Sequence, residues 1–257
     1  MKQSSVLILA LTLFAAACGS GRATIPPGNL QPDRFLFDRA NEAMNAKEWL
    51  NAREYFRQVV DNYPQSPVRP DSKLGLGDSY LGERSAESLV MAANEFREFL
   101  TFYPTHARAD YAQYKLAMSY YEQMRAPERD QTETREALHE FDVFFQRYPN
   151  SPLMPEVKEK WREARSRLSE ASYRVGLHYY RQRWDVGAQD RFREVLKEDP
   201  GFPGRDRVYY YLALSLARSD KTKVAEAIPY LDRLLAEFPQ SELREDAAKR
   251  LKELQAQ

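Results

Sequence analysis

Few side chains in this sequence are placed to do covalent or metal chemistry. Its three histidines, His106, His139 and His178, are far apart, and none has a second ligand four residues on. That is the spacing at which two imidazoles on one helix face share a metal. No Gly-x-Ser-x-Gly, no glycine-rich phosphate loop and no His-Glu-x-x-His run occurs. Carboxylates do recur in close groups, Glu133/Glu136 and Glu242/Glu245/Asp246. With Arg and Lys interleaved at helical spacing, they read as solvated ion-pair faces rather than acid–base dyads. The residue types argue against an enzyme, and no metal and no cofactor is expected. Total charge is balanced, 38 basic against 38 acidic side chains, so the bulk gives no reason to expect nucleic acid.

The one reactive position is Cys18, the only cysteine. It closes MKQSSVLILALTLFAAAC, in which Lys2, an apolar run from Val6 to Phe14 and Ala15–Ala17 have the layout of a secretory signal peptide. Residues 1–17 are read as that peptide. Cys18 resembles the acyl acceptor of a bacterial lipobox, with Ala15 standing where leucine is usual. Gly19, in place of the aspartate of many inner-membrane-retained lipoproteins, favours the outer membrane. Residues 18–33 carry the thiol and a Gly- and Pro-rich tether, GSGRATIPPGNLQPD, with no apolar periodicity.

Beyond the tether one phrase returns five times, as in YFRQVVDNYPQSP (55–67) and FDVFFQRYPNSP (141–152). Its prolines, Pro64, Pro104, Pro149, Pro200 and Pro239, recur at intervals of 40, 45, 51 and 39 residues. Twelve before each stand Ala52, Ala92, Ala137, Ala188 and Ala227. Eight before stand Phe56, Phe96, Phe141, Phe192 and Leu231, and five before stand Val59, Phe99, Phe144, Val195 and Leu234. These offsets describe one helix face that proline then terminates. A preceding helix carries a small residue and then an apolar one: Gly77/Tyr80, Ala117/Tyr120, Gly176/Tyr179, Ala213/Leu216 and, weaker, Ala40/Ala43. The pattern resembles the tetratricopeptide repeat. The expected fold is all-α, an α-solenoid of five tetratricopeptide helix pairs whose units share one continuous core.

Residues 34–153 would hold repeats one to three, and 154–257 a long connecting helix with repeats four and five. Val157, Trp161, Ala164 and Leu168 form the stripe of that helix. The loop APERDQTET (126–134) lengthens the second interval, and Asp130 and Glu133 have capping-box spacing.

Consensus positions serve packing, so specificity is sought beside them. Tyr121 follows the consensus Tyr120 and points about 100° away from it. Tyr114 lies seven residues earlier on the same face, joined by Tyr111 and, in other repeats, by Phe37, Met44, Leu74 and Leu81. These seven are the candidate lining of a concave groove for an apolar or aromatic peptide; burial of the same rings between repeats is the competing reading. For Tyr173 and Tyr180 packing is the favoured one. Arg181, Arg183, Arg191 and Arg193 form a basic cluster suited to an acidic partner or to a solvated face.

YPTHARADYAQYKLAMSYY (103–121), RDQTETREALHEFDVFFQRYPNSP (129–152) and the helix through 166–200 resemble the BamD family of the β-barrel assembly machinery. Lipobox, tether, five repeats and long helix follow in the same order; SPVRPDSKLGLGDSYLGERS (66–85) matches loosely. The resemblance implies a lipid-anchored scaffold on the periplasmic face of the outer membrane of a diderm bacterium. Its implied partners are the POTRA domains of a BamA-like insertase, other lipoproteins of the complex, and C-terminal segments of unfolded outer-membrane proteins. It places Arg191 at the family's basic contact position, with Arg193 beside it. The alternative is another tetratricopeptide lipoprotein adaptor, such as a pilotin-like secretin assembly factor.

Overall fold

The computed structural model describes residues 25, 28 and 30–256. The signal segment, Cys18 and most of the tether lie outside the described residues. Those described form eleven α-helices: α1 Pro32–Asn45, α2 Trp49–Asn62, α3 Arg69–Glu83, α4 Ala86–Phe102, α5 Ala109–Tyr121, α6 Thr132–Arg147, α7 Met154–Arg181, α8 Asp185–Glu198, α9 Arg205–Ser219, α10 Val224–Glu237 and α11 Arg244–Gln255. No strand occurs among them. Each helix packs chiefly on its neighbours in sequence, as in a tetratricopeptide solenoid.

The five recurring alanines are all completely buried. Four residues on, on the same face of the same helices, sit the recurring rings Phe56, Phe96, Phe141 and Phe192, each at most 1% exposed. A methyl group on Gly77 would stand 2.6 Å from the Phe96 ring, and one on Gly176 would stand 2.7 Å from that of Phe192. The small residue is thus the socket for the ring of the next helix. In each repeat the residue before the proline leaves helical geometry, with φ from −126° to −138° and ψ from 51° to 75°. Proline's ring excludes the helical region for its predecessor.

The serine two residues after the proline has a further role. Ser66 donates to Asp33 at 2.5 Å, Ser151 to Asp110 at 2.6 Å and Ser241 to Asp206 at 2.6 Å. The three aspartates lie in the first turns of α1, α5 and α9. Each serine oxygen also accepts the N–H two residues on. A hydrogen-bonded clasp therefore joins the end of a repeat to its beginning, and it holds the Asp33 carboxyl below its usual range. Repeats two and four depart from this, with His106 and Phe202 in place of the serine, and repeat four is tied differently. The residue before its proline is Asp199 rather than an aromatic; it is 2% exposed and takes hydrogen bonds from Arg162 (2.5 Å) and Ser169 (2.7 Å) of α7. The exit of α8 is thereby fixed to the middle of the long helix.

Two features differ from the sequence reading. The capping box at Asp130 and Glu133 does not form, because α6 begins later, at Thr132. Gln131 orders this turn instead, donating to the carbonyls of Ala126 and Arg129 and accepting from Thr134. After the fifth pair, α11 lays Ala247 and Leu254 against the last core cluster, covering a face that would otherwise meet water.

Gly77→Ala tests the socket. Helix propensity alone favours alanine by about 0.8–1 kcal/mol, whereas overfilling a packed core costs about 1–3 kcal/mol. The variant is expected to melt lower, and Gly77→Ala/Phe96→Leu to recover most of the loss. A higher melting temperature for the single variant would contradict the socket.

Candidate functional site

The first helices of successive pairs, α1, α3 and α5, with the start of α7, line a groove of about 480 Å³. Met44, Trp49, Leu81, Tyr111, Tyr114 and Met118 form its apolar wall, and Asp78, Lys115, Glu156 and Lys160 its charged one. Met44, Leu81, Tyr111 and Tyr114 of the sequence-derived set are gathered here; the other three are not. Leu74 is fully buried in the core with Phe96 and Phe99; three residues before Gly77, it shares the face that receives those rings, so it is corrected to a core residue. Phe37 is half-buried and meets Phe56 edge to face at 5.9 Å. Tyr121 lies outside the lining, edge-on to Phe141. Tyr173 is 3% exposed in the C-terminal core, as its packing reading required.

Tyrosine hydroxyls organise the charges of the groove. That of Tyr111 donates to both oxygens of Asp78, at 2.9 Å each. Tyr114 donates to Glu156 at 2.6 Å, and Tyr121 to Glu163. These bonds run from α5 to α3 and α7, so Tyr111 and Tyr114 are each both groove wall and cross-brace, while Tyr121 braces α5 to α7 outside the lining. Burial, then the neighbouring carboxylates, push the Tyr111 and Tyr114 hydroxyls far above the usual tyrosine range. Burial likewise raises the Asp78 carboxyl, against the pull of Lys115, the Tyr111 hydroxyl and Arg108. Trp49, Asp78, Lys115 and Met118 were not singled out from sequence, although Asp78 and Lys115 adjoin the flagged Gly77 and Tyr114.

A second cleft, of about 620 Å³, opens where the 126–131 loop meets α7 and α8. Arg129, Arg135, Arg174, His178 and Arg191 line it with Glu128, Asp130, Leu168 and Val175. Arg174 pairs with Glu128 and with Glu170. Arg191 pairs with Glu194, one helical turn on, at 2.8 Å, with both side chains substantially exposed, and it also interacts with the Tyr179 hydroxyl; an exposed pair of that kind is worth about 0–1 kcal/mol and is easily exchanged. Arg193 points elsewhere. It follows Phe192 as Arg57 follows Phe56 and Arg97 follows Phe96, and those two donate to Tyr80 and Tyr120 of the next repeat. Leu216 stands in that place in repeat five, so Arg193 reaches Glu226 instead, at 2.6 Å. Arg181 and Arg183 lie outside the cleft lining. Sequence missed Arg129, Arg135 and Arg174 because they lie on three separate segments and meet Arg191 only through the packing of the 126–131 loop, α6 and α7 beside α8.

Asp78→Asn tests the electrostatics of the groove. The variant keeps an oxygen for Tyr111. Because the folded carboxyl binds its proton more tightly than the unfolded one, its ionisation weakens the fold above that raised value, and the penalty vanishes below the unfolded value. The variant should therefore be at least as stable as wild type near about pH 7, with its advantage closing towards about pH 3 in denaturation titrations. An advantage that grows on acidification would contradict this.

Comparison with known proteins adds the family. The YfiO model, described as an outer membrane lipoprotein, matches residues 30–217, and a tetratricopeptide repeat model matches 207–241. Relatives named outer membrane protein assembly factor BamD are 28% identical over 197 residues in Caulobacter vibrioides and 25% over 203 residues in Vibrio cholerae. Each match covers 75% of this chain, with 63% of the first relative and 81% of the second. A relative of the same name in Neisseria meningitidis is 19% identical over 233 residues, 86% of each chain. Among solved structures, the TPR2AB-domain:pHSP90-complex of yeast Sti1 superposes with a TM-score of 0.49 at 12% identity, over 87% of this chain and 83% of that one. No described helix is long and apolar enough to cross a membrane. With the family model covering most of its length, the chain belongs to the YfiO family of outer membrane lipoproteins, the family of BamD.

Proposed function

We propose that this protein is a non-enzymatic scaffold for the assembly and insertion of outer-membrane β-barrel proteins. The match to the YfiO family over residues 30–217 carries the reading. In it, an acyl chain on Cys18 holds the solenoid to the periplasmic face of the outer membrane. The arginine-lined cleft at the junction of repeats three and four receives an acidic edge of a POTRA domain from a BamA-like insertase. Arg191 suits this role because the ion pair it makes among the described residues is local and exposed, and a guanidinium binds carboxylates in two-pronged fashion. Arg193 contributes less, being committed to Glu226. The exposed Val175 and half-buried Leu168 give the cleft the apolar floor that protein interfaces place beneath a polar rim. Other lipoproteins of the complex join this scaffold. The groove of the first three repeats takes apolar, aromatic-ended C-terminal segments of unfolded outer-membrane proteins, for which Met44, Trp49, Leu81 and the tyrosine rings are suited walls.

Affinity capture of the tagged protein from detergent-solubilised outer membranes tests the assignment. A POTRA-bearing barrel protein should co-purify, and Arg191→Glu should lower its recovery by about tenfold or more with an unchanged helical melt. Arg193→Glu should have a smaller effect. Recovery of a secretin in place of the barrel protein would replace this reading with the pilotin-like one.

A further inference from the structure

The start of α8 breaks a local rule. Its N-cap is Trp184, sixteen residues before Pro200. The corresponding residues of the other four repeats are Glu48, Ser88, Glu133 and Lys223, all polar. Helix N-caps favour short side chains whose oxygen can accept a backbone N–H, and Trp184 makes no such bond. The core does not require the ring either, because Trp184 is 61% exposed. A large ring that neither caps its helix nor fills the core calls for a task outside the fold. Its surroundings tie it to the arginine cleft. Trp184, Gly187, Arg191 and Glu194 follow at helical spacing along one face of α8. On α7, Leu168, Val175 and Tyr179 do the same. The Tyr179 ring joins the two rows. It lies 5.7 Å from the Trp184 ring, a methyl group on Gly187 would stand 3.1 Å from it, and its hydroxyl interacts with Arg191. Leu168, Val175 and Arg191 line the cleft. The apolar floor therefore continues past Arg191 to an exposed indole about 10 Å further along the helix. Arg181 and Arg183 flank the same turn and are exposed.

We infer that Trp184, backed by Tyr179, is an apolar anchor for the acidic POTRA domain assigned to the cleft, taking an apolar side chain about 10 Å from the carboxylate that Arg191 receives. The inference rests on that assignment. Continuity and charge select the occupant: the ring prolongs the cleft floor, and the arginines around it suit the same acidic surface. Tryptophan beside arginine is the composition found where interfaces concentrate their binding energy. The Tyr179 ring holds the indole from one side, which reduces the conformational freedom lost when the partner arrives.

The test captures the tagged full-length protein from detergent-solubilised outer membranes, at low and at high salt, as wild type, Trp184→Ser, Trp184→Phe and Arg191→Glu. Trp184→Ser should lower recovery of the POTRA-bearing protein about tenfold, and Trp184→Phe should keep most of it. Serine supplies the cap that tryptophan lacks, so the helical melt of Trp184→Ser should stay near that of wild type. The loss at Trp184 should persist in high salt, whereas the loss at Arg191 should shrink as its charge is screened. A collapsed melt in both Trp184 variants would overturn the anchor and return the ring to a packing role. Full recovery with Trp184→Ser while Arg191→Glu still fails would overturn the anchor and leave the cleft assignment standing. Full recovery with both substitutions would overturn both. Loss of another lipoprotein, with the POTRA-bearing protein retained, would overturn the inference by giving the ring to that partner.

Discussion

Where two helices of this protein cross, a small side chain on one receives a ring or a branched chain from the other. Gly77 of α3 lies at such a site with Phe96 of α4, and Gly176 of α7 with Phe192 of α8. Close approach of the backbones follows from the small residue, and filling of the remaining space follows from the ring. The pair then has one preferred crossing, and successive pairs stack by the same rule. Positions consumed in this way cannot bind anything else. The faces left over, on the first helix of each pair and along the exposed side of α7, are the surfaces on which a partner can be recognised.

Those surfaces carry a sorted distribution of charge that the balanced total conceals. Around the 126–131 loop, guanidinium groups from the loop itself and from α6, α7 and α8 converge on one cleft. In the groove Asp78 and Glu156 are anchored by tyrosine hydroxyls that reach between helices. A phenol is well suited to this. Its ring can be buried at an inter-repeat contact while its oxygen neutralises the cost of a carboxylate placed beside it. The long helix α7 is common to both sites, contributing Glu156 and Lys160 to one and Arg174 and Val175 to the other.

The repeat architecture was legible because its signals are local and periodic: alanine, ring and proline at fixed offsets read directly as a helix face with a stop. Adjacency on a helix also located much of the groove, since Leu81, Tyr111 and Tyr114 follow from the 100° step between neighbours. The same reasoning misplaced Leu74, because a position seven residues from a groove residue can still turn inward where a glycine draws the next helix close. The arginine cleft was beyond reach for a different reason. Arg129 and Arg191 are 62 positions apart, and their meeting depends on the 126–131 loop, ordered internally by Gln131, lying beside α7 and α8. The serine of the closing phrase is an intermediate case. Its partner aspartates sit in the first turn of α1, α5 and α9, a regularity visible in the sequence whose meaning only the hydrogen bonds disclose.

That serine–aspartate contact bears on how such a chain can change. Because it ties the exit of a repeat to its own entrance, extra residues between the two helices bulge outward and leave the pitch of the stack unaltered. The third repeat shows the outcome: Asp110 and Ser151 stand 41 positions apart where Asp33 and Ser66 stand 33, yet both bonds form. The added length is the rim of the arginine cleft. A repeat closed on itself in this way can therefore acquire new recognition surface by insertion between its helices.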